Sequence, residues 1–189
     1  MSRVDERRDR LPATGWAVLG VLSHAEELSG YDVKKWADHV VAFFYVSPAL
    51  SQIYGELRRL EELGYVVSRA APQDELRNKR LYRITEPGRE ALRHWVNHAP
   101  VDPTVLKHNL AMRVWLGHLA DQDRLRDLAE RHVAETERAL GEVRTSLLRS
   151  QDRPAWSYPV TVLRWCERYY RSELALTREL LTDLGEAPN

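Results

Sequence analysis

The stretch from Ser47 to Gly88 constrains the fold more than any other part of the sequence. It opens with a helix-like segment whose apolar residues recur at three- and four-residue steps, with Ser47 predicted as the N-cap and Pro48 in the first position. Gly64 is placed to end that helix in the left-handed conformation. Two strand-like runs, YVVSRA and KRLYRIT, then enclose a polar tip, and Thr85 is placed to cap another helix. This order of elements predicts a winged helix.

Two further helices are predicted before this stretch. One covers about 14–25, with Thr14 as its cap, and the other covers about 31–41. Residues 1–12 are mostly charged and are interpreted as a mobile arm. The winged-helix unit is therefore predicted over 13–99.

The remainder of the chain, residues 100–189, predicts only helices, over about 103–119, 121–148 and 159–184. The fold class is thus mainly α with a small β-hairpin wing, followed by an all-helical domain. Apolar residues of the last helix recur at steps of three and four, which is typical of a coiled-coil seam. We predict that this seam joins two copies of the chain through Leu163, Cys166, Tyr170, Leu174 and Leu181.

Composition excludes several classes of protein. No apolar run approaches the roughly 20 residues that a membrane span needs, and the N-terminal segment lacks the apolar region of a secretory signal. A single cysteine, Cys166, excludes an internal disulfide, is expected to be a buried structural thiol and suits a cytoplasmic location. The sequence contains no phosphate-binding glycine loop or catalytic motif, so an enzyme is not expected.

Charge distribution points to a local nucleic-acid footprint. The whole chain has a formal net charge of zero, and residues 1–98 carry 15 Lys and Arg against 14 Asp and Glu. Positive charge is concentrated in 77–83, which contains four basic residues and no acid. Near-neutrality of the first half leaves a second interpretation open, in which the winged helix binds another protein and not DNA.

The exposed polar residues of the predicted recognition helix favour double-stranded DNA. Ser and Gln side chains near the N-terminus of such a helix can reach base edges, and nearby Tyr and Arg side chains can hold phosphates. Lys79 and Arg80 at the start of the second wing strand would lie along the backbone. The predicted DNA-binding set is Ser47, Ser51, Gln52, Tyr54, Arg58, Lys79, Arg80 and Tyr31.

Histidines and tryptophans give weaker signals. His94 and His98 lie one helical turn apart, with His108 nearby in sequence, but no third ligand is assured, so neither a metal nor another cofactor is predicted. Six tryptophans are interpreted mainly as core and interface residues. The alternative is that some of them line a pocket for a small aromatic effector.

Several fragments together resemble the PadR family of bacterial transcriptional regulators. They are VLGVLS, SGYDVKKW, SQIYGELRRLEELGYV and KRLYRITEPGREAL. The residues that carry the resemblance are Gly30, Tyr31, Tyr54, Leu57, Leu60, Glu61, Gly64, Tyr82, Thr85, Gly88 and Arg89. The helical second half resembles the larger type, whose C-terminal helices form a dimerisation domain like that of virulence-activator relatives. This resemblance implies a homodimer that binds a pseudo-palindromic operator, usually as a repressor, and some relatives bind phenolic or planar molecules.

Overall fold

A computed structural model describes four parts of the chain, residues 11–45, 47–71, 80–150 and 156–186. The chain divides into two compact units, Met1–Val101 and Asp102–Asn189. The described part is mainly helical with one small sheet, which confirms the predicted fold class. No helix in the described part is both long and apolar enough to cross a membrane.

The first unit is a winged helix with one more strand than the sequence predicts. Its elements are α1 (Ala13–Ser23), β1 (Leu28–Ser29), α2 (Gly30–His39), a 3₁₀ turn (Val41–Phe43), α3 (Leu50–Glu62), β2 (Val66–Ala70), β3 (Arg80–Ile84) and α4 (Glu86–His98). The sheet is antiparallel in the order β1–β3–β2, with Leu28 opposite Tyr82 and Val66 opposite Ile84. β1 was not predicted because two residues are too few to show the alternation of a strand.

Helices α1, α2 and α3 enclose the core of this unit together with the sheet. The side chains with no exposed surface include Leu19, Val33, Ile53, Leu57, Leu60 and Val66. Each such side chain contributes about 1.5–3 kcal/mol through removal of apolar surface from water. Leu11 is also buried in this core, so the predicted arm over 1–12 ends before it. Residues 1–10 of that arm lie outside the described part.

Two predicted helix starts are wrong, whereas the predicted stop and the second cap are confirmed. α1 begins at Ala13 after Pro12, and Thr14 lies inside the helix rather than capping it. α3 begins at Leu50 and not after Ser47, because the Ala49 N–H donates to Gln52 Oε1 at 2.8 Å. Gly64 ends α3 with φ of +72°, and the Thr85 hydroxyl accepts the Gly88 N–H at 3.1 Å.

The second unit contains only helices among its described residues. They are α5 (Asn109–Trp115), a 3₁₀ turn (Gly117–Leu119), α6 (Gln122–Ser150) and α7 (Ser157–Glu186). The predicted helix over 103–119 is wrong in its first part, since residues 101–108 have no helical structure. Instead, His108 caps α5 with its Nδ1 atom, which accepts the Ala111 N–H at 3.1 Å.

The apolar seam of α7 packs against α6 of the same chain. Leu163 and Cys166 have no exposed surface, and Leu174 is 6% exposed. Arg144 on α6 also pairs with Glu167 on α7, with 3.1 Å between Nε and Oε1. Burial raises the pKa of the Cys166 thiol, as expected for a structural thiol. Most of the predicted inter-chain seam is therefore covered within one protomer.

Candidate nucleic-acid interface

The outer face of α3 presents most of the predicted DNA-reading residues to solvent. Ser51, Gln52, Tyr54 and Arg58 are exposed, while Leu57 on the opposite face is fully buried. The Gln52 carbonyl oxygen is engaged at the start of the helix, which fixes the direction of its amide group. Within the described residues that NH₂ group makes no hydrogen bond, so it is free to donate to a base edge.

Tyr54 is positioned by the N-terminus of α2. Its ring lies against Gly30, where an added Cβ would be 2.5 Å from Cε1 of the tyrosine. Tyr31 follows Gly30 directly and is 67% exposed. The structure therefore brings Tyr31 and Tyr54, which are far apart in sequence, to the same edge of the unit.

Tyr82 on β3 joins the wing to α3. It is 5% exposed, and burial raises the pKa of its hydroxyl while the charge of Arg80 opposes that rise. Glu61, Tyr54 and Arg58 of α3 also lie within electrostatic reach of this hydroxyl. Two cations from different elements, Arg58 of α3 and Arg80 of β3, therefore lie near the same hydroxyl. The sequence alone assigned Tyr82 no role at the interface.

The two cations beside Tyr82, Arg58 and Arg80, form no ion pair with another described residue. By contrast, Arg69 on β2 is bound by Glu27, with 2.9 Å between Nε and Oε1. Lys79, the remaining predicted wing contact, lies outside the described residues.

Two of the three acidic residues of α3, Glu56 and Glu61, are directed into the protein, whereas Glu62 is exposed. Glu61 accepts a hydrogen bond from the Ser68 hydroxyl of β2 at 2.6 Å. Glu56 lies against α1, where a Cβ added to Gly15 would be 2.9 Å from its Oε2 atom. Arg59 also approaches Glu56, with 3.8 Å between Nη1 and Oε2. These contacts hold two carboxylates away from the outer face, while Glu62, four residues after Arg58, remains exposed.

Ser47 has a different role from the predicted cap. Its hydroxyl donates to Asp38 Oδ1 at 2.5 Å and accepts from Lys34 Nζ at 3.3 Å. Burial raises the pKa of Asp38, but hydrogen bonds from Lys34 and Ser47 outweigh it and leave the pKa below its ordinary value. The segment before α3 is thereby fixed to α2, and the Ser47 hydroxyl is already engaged.

Comparison with known proteins shows which regulators the chain resembles. Residues 18–94 match the transcriptional regulator PadR-like family. A PadR-like transcriptional regulator from Bacillus cereus superimposes with a TM-score of 0.77 at 26% identity, covering 93% of this chain and 98% of that one. The chain is thus similar to the PadR-like transcriptional regulators in sequence over residues 18–94 and in fold over 93% of its length.

One further relative supports the likeness in sequence, and two of its structures support the likeness in fold. The negative transcriptional regulator PadR of Bacillus subtilis (strain 168) is 31% identical over 109 residues, which are 57% of this chain and 59% of the relative. The matched sequence thus spans less than two thirds of that protein. Bacillus subtilis PadR has also been solved with operator DNA, and this structure has a TM-score of 0.77 and 22% identity over 92% of this chain and 99% of that one. A second structure of it, with p-coumaric acid, has a TM-score of 0.69 and 20% identity over 92% and 96%.

Two groups of histidines lie close together in the described residues. His94 and His98 stack on α4 with 4.5 Å between ring centroids, and His98 Nδ1 is 3.0 Å from the His94 carbonyl oxygen. His108 instead contacts His132 and Glu173, a cluster that sequence analysis missed. His108 and His132 are 65 and 41 residues from Glu173 in the sequence, so no local spacing of residues could have predicted this cluster.

Proposed function

We propose that this PadR-like regulator is a homodimeric repressor that binds a pseudo-palindromic operator in double-stranded DNA. α3 would enter the major groove, and the wing would follow the adjacent phosphates. Repression, as opposed to activation, is supported by the similarity to Bacillus subtilis PadR, a negative transcriptional regulator. A cytoplasmic location and the absence of catalytic activity belong to the same proposal.

One observation carries the proposal. The face of α3 with exposed Ser51 and Gln52 also carries Arg58 and lies near Arg80, and neither arginine forms an ion pair with a described acid. Polar groups at the helix start suit base edges, and cations further along suit phosphates. A surface that binds only an apolar protein segment would need neither the polar groups at the helix start nor the cations further along.

Substitution of Arg58 tests the phosphate contact. We expect Arg58→Ala to weaken binding about tenfold on every sequence, because a phosphate contact carries no base information. The slope of log affinity against log salt should fall by about one per lost contact, hence about two per dimer. Fluorescence anisotropy on DNA fragments selected by the wild-type protein from genomic DNA would measure both quantities.

Two variants complete this experiment. Gln52→Ala should change which sequences are preferred and leave the salt slope unaltered. Arg93→Ala removes an exposed arginine of α4 outside the proposed surface and should leave affinity within twofold. Absence of any wild-type binding at low salt, where phosphate contacts are strongest, would contradict the proposal and favour a protein-interaction module.

Burial of the α7 seam requires another surface for dimerisation. Five large apolar side chains between residues 105 and 119 are each more than 60% exposed, namely Val105, Leu106, Met112, Trp115 and Leu119. A soluble monomer rarely exposes so many such side chains in one short segment. We therefore assign this segment, called the apolar segment below, to contact with the second copy.

Removal of two members of the apolar segment should separate the copies. We expect the double variant Trp115→Ala/Leu119→Ala to raise the dimer dissociation constant by at least about 100-fold, since truncated interface anchors commonly cost 2 kcal/mol or more. Sedimentation equilibrium would measure it. Tyr158→Ala is the matched control, because that side chain is 84% exposed on α7 and lies outside the apolar segment. An unchanged dissociation constant in the double variant would contradict the assignment.

A small aromatic effector is the remaining part of the proposal. Its support is the complex of Bacillus subtilis PadR with p-coumaric acid. Release of the bound DNA fragment on addition of such an acid, followed in the same anisotropy assay, would establish an effector for this chain.

A further inference from the structure

Three metal-ligating side chains from separate segments converge in the second unit. His108 precedes α5, His132 lies on α6 and Glu173 lies on α7. Glu173 Oε1 is 2.7 Å from His108 Nε2 and 2.8 Å from His132 Nε2. The three atoms lie within 4.8 Å of one another, and the side chains are 20%, 31% and 12% exposed. We call this group the His–His–Glu cluster.

We propose that the His–His–Glu cluster binds one divalent transition-metal ion of the zinc class. Two imidazoles favour zinc, cobalt, nickel or copper, whereas magnesium and calcium prefer sites built only from oxygen. Three protein ligands leave one position for water or another donor, which is an established arrangement for zinc.

The positions of the ligand atoms require little movement to receive such an ion. Tetrahedral zinc with bonds of about 2.0–2.1 Å separates its ligand atoms by about 3.3 Å. Each hydrogen-bonded contact to Glu173 would therefore lengthen by about 0.5 Å. Glu173 would supply the negative charge among the three ligands, because a glutamate carboxyl is ionised at neutral pH.

Occupation of the cluster is coupled to the cap of α5. In the structure His108 Nδ1 accepts the Ala111 N–H, so the proton of the neutral imidazole resides on Nε2. A metal bound at Nε2 uses the lone pair there and moves the proton to Nδ1, which can then no longer accept from Ala111. The ion and the α5 cap therefore compete for the same imidazole.

Zinc titration of the full-length protein tests the site directly. We expect one zinc ion per chain by isothermal titration calorimetry, and intense visible absorption when cobalt(II) replaces zinc. His108→Asn removes a ligand but keeps a good capping residue, and His132→Gln removes the second imidazole. Each should weaken zinc binding by at least about 100-fold, because even the outer hydrogen-bonding partners of metal ligands are worth 10–100-fold.

Control variants and the coupling complete the test. His118→Gln, an exposed histidine of the same unit, and the double variant His94→Gln/His98→Gln should each retain the bound zinc. Hydrogen exchange at the Ala111 amide should accelerate when zinc binds to the wild type. Absence of stoichiometric zinc, or unchanged affinity in both His108→Asn and His132→Gln, would overturn the site. Unchanged or slower exchange at Ala111 in the zinc-bound protein would overturn the coupling.

Discussion

Replacement of Gly88 by alanine is expected to lower the free energy of unfolding by about 3 kcal/mol. An added Cβ would overlap the Tyr65 carbonyl oxygen and would lie 3.0 Å from Ile84 Cγ1. The Tyr65 carbonyl cannot simply move, because it accepts the Thr85 N–H at 2.9 Å. The Thr85 hydroxyl in turn donates to the Gly64 carbonyl at 2.7 Å. An alanine would therefore push the start of α4 away from the turn after α3.

A matched glycine separates this overlap from a general effect of alanine. Gly20 lies inside α1 with nothing within 4 Å of an added Cβ, so Gly20→Ala should stabilise by about 0.5 kcal/mol. Thermal unfolding followed by circular dichroism would compare the two, and Gly88→Ala should melt roughly 6–12 °C below wild type. Equal melting temperatures for Gly88→Ala and wild type would show that this contact is easily relaxed.

Replacement of Gly30 by alanine should displace the Tyr54 ring, which is part of the proposed DNA surface. The new Cβ would lie 2.5, 2.7 and 3.0 Å from Cε1, Cζ and the hydroxyl oxygen of Tyr54. Because Tyr54 is 40% exposed, its ring can move outward into solvent, and we expect a cost of only about 1–2 kcal/mol. The displaced ring would no longer match the phosphate path, so binding to selected DNA should weaken about tenfold.

A double-mutant cycle isolates this contact. In a Tyr54→Ala background the ring is absent, and Gly30→Ala should then change stability by less than about 0.5 kcal/mol. Urea denaturation of the four proteins would give a coupling energy of about 1 kcal/mol or more. Additive effects on stability would show that the ring does not limit the side chain at position 30.

The elements predicted well from sequence are those whose signals are local. Gly64 and Thr85 determine helix ends through backbone conformation and hydrogen bonds within a few residues. The local sequence therefore indicates where α3 ends and α4 begins. The start of α3 depends on contacts with another helix, because Asp38 and Lys34 of α2 form hydrogen bonds with the Ser47 hydroxyl. A capping residue and a residue tied to another helix look the same in one sequence.

Features that depend on non-local packing could not be read from one sequence. Periodic apolar residues on α7 indicate a buried face but cannot tell whether α6 or a second chain covers it. The predicted cover was a second chain, whereas Leu163 and Cys166 are already buried within one chain. β1 exists because β3, more than fifty residues later, pairs with it. The exposed residues of α3 were foreseen because each depends only on helix periodicity. The convergence of Arg58 and Arg80 at Tyr82 required the folded wing.

The hydrogen bond between Ser68 and Glu61 has a consequence for how operators would be selected. It ties β2 to α3, and the Arg69–Glu27 ion pair ties the same strand to the turn before β1. α3 and the base of the wing are thus held at a fixed spacing. On DNA, any mismatch with this spacing would have to be met by the duplex, through bending or a change in groove width, and not by the protein. Flexible base steps that no side chain touches would then contribute to operator choice, because the energy of deforming them differs between sequences.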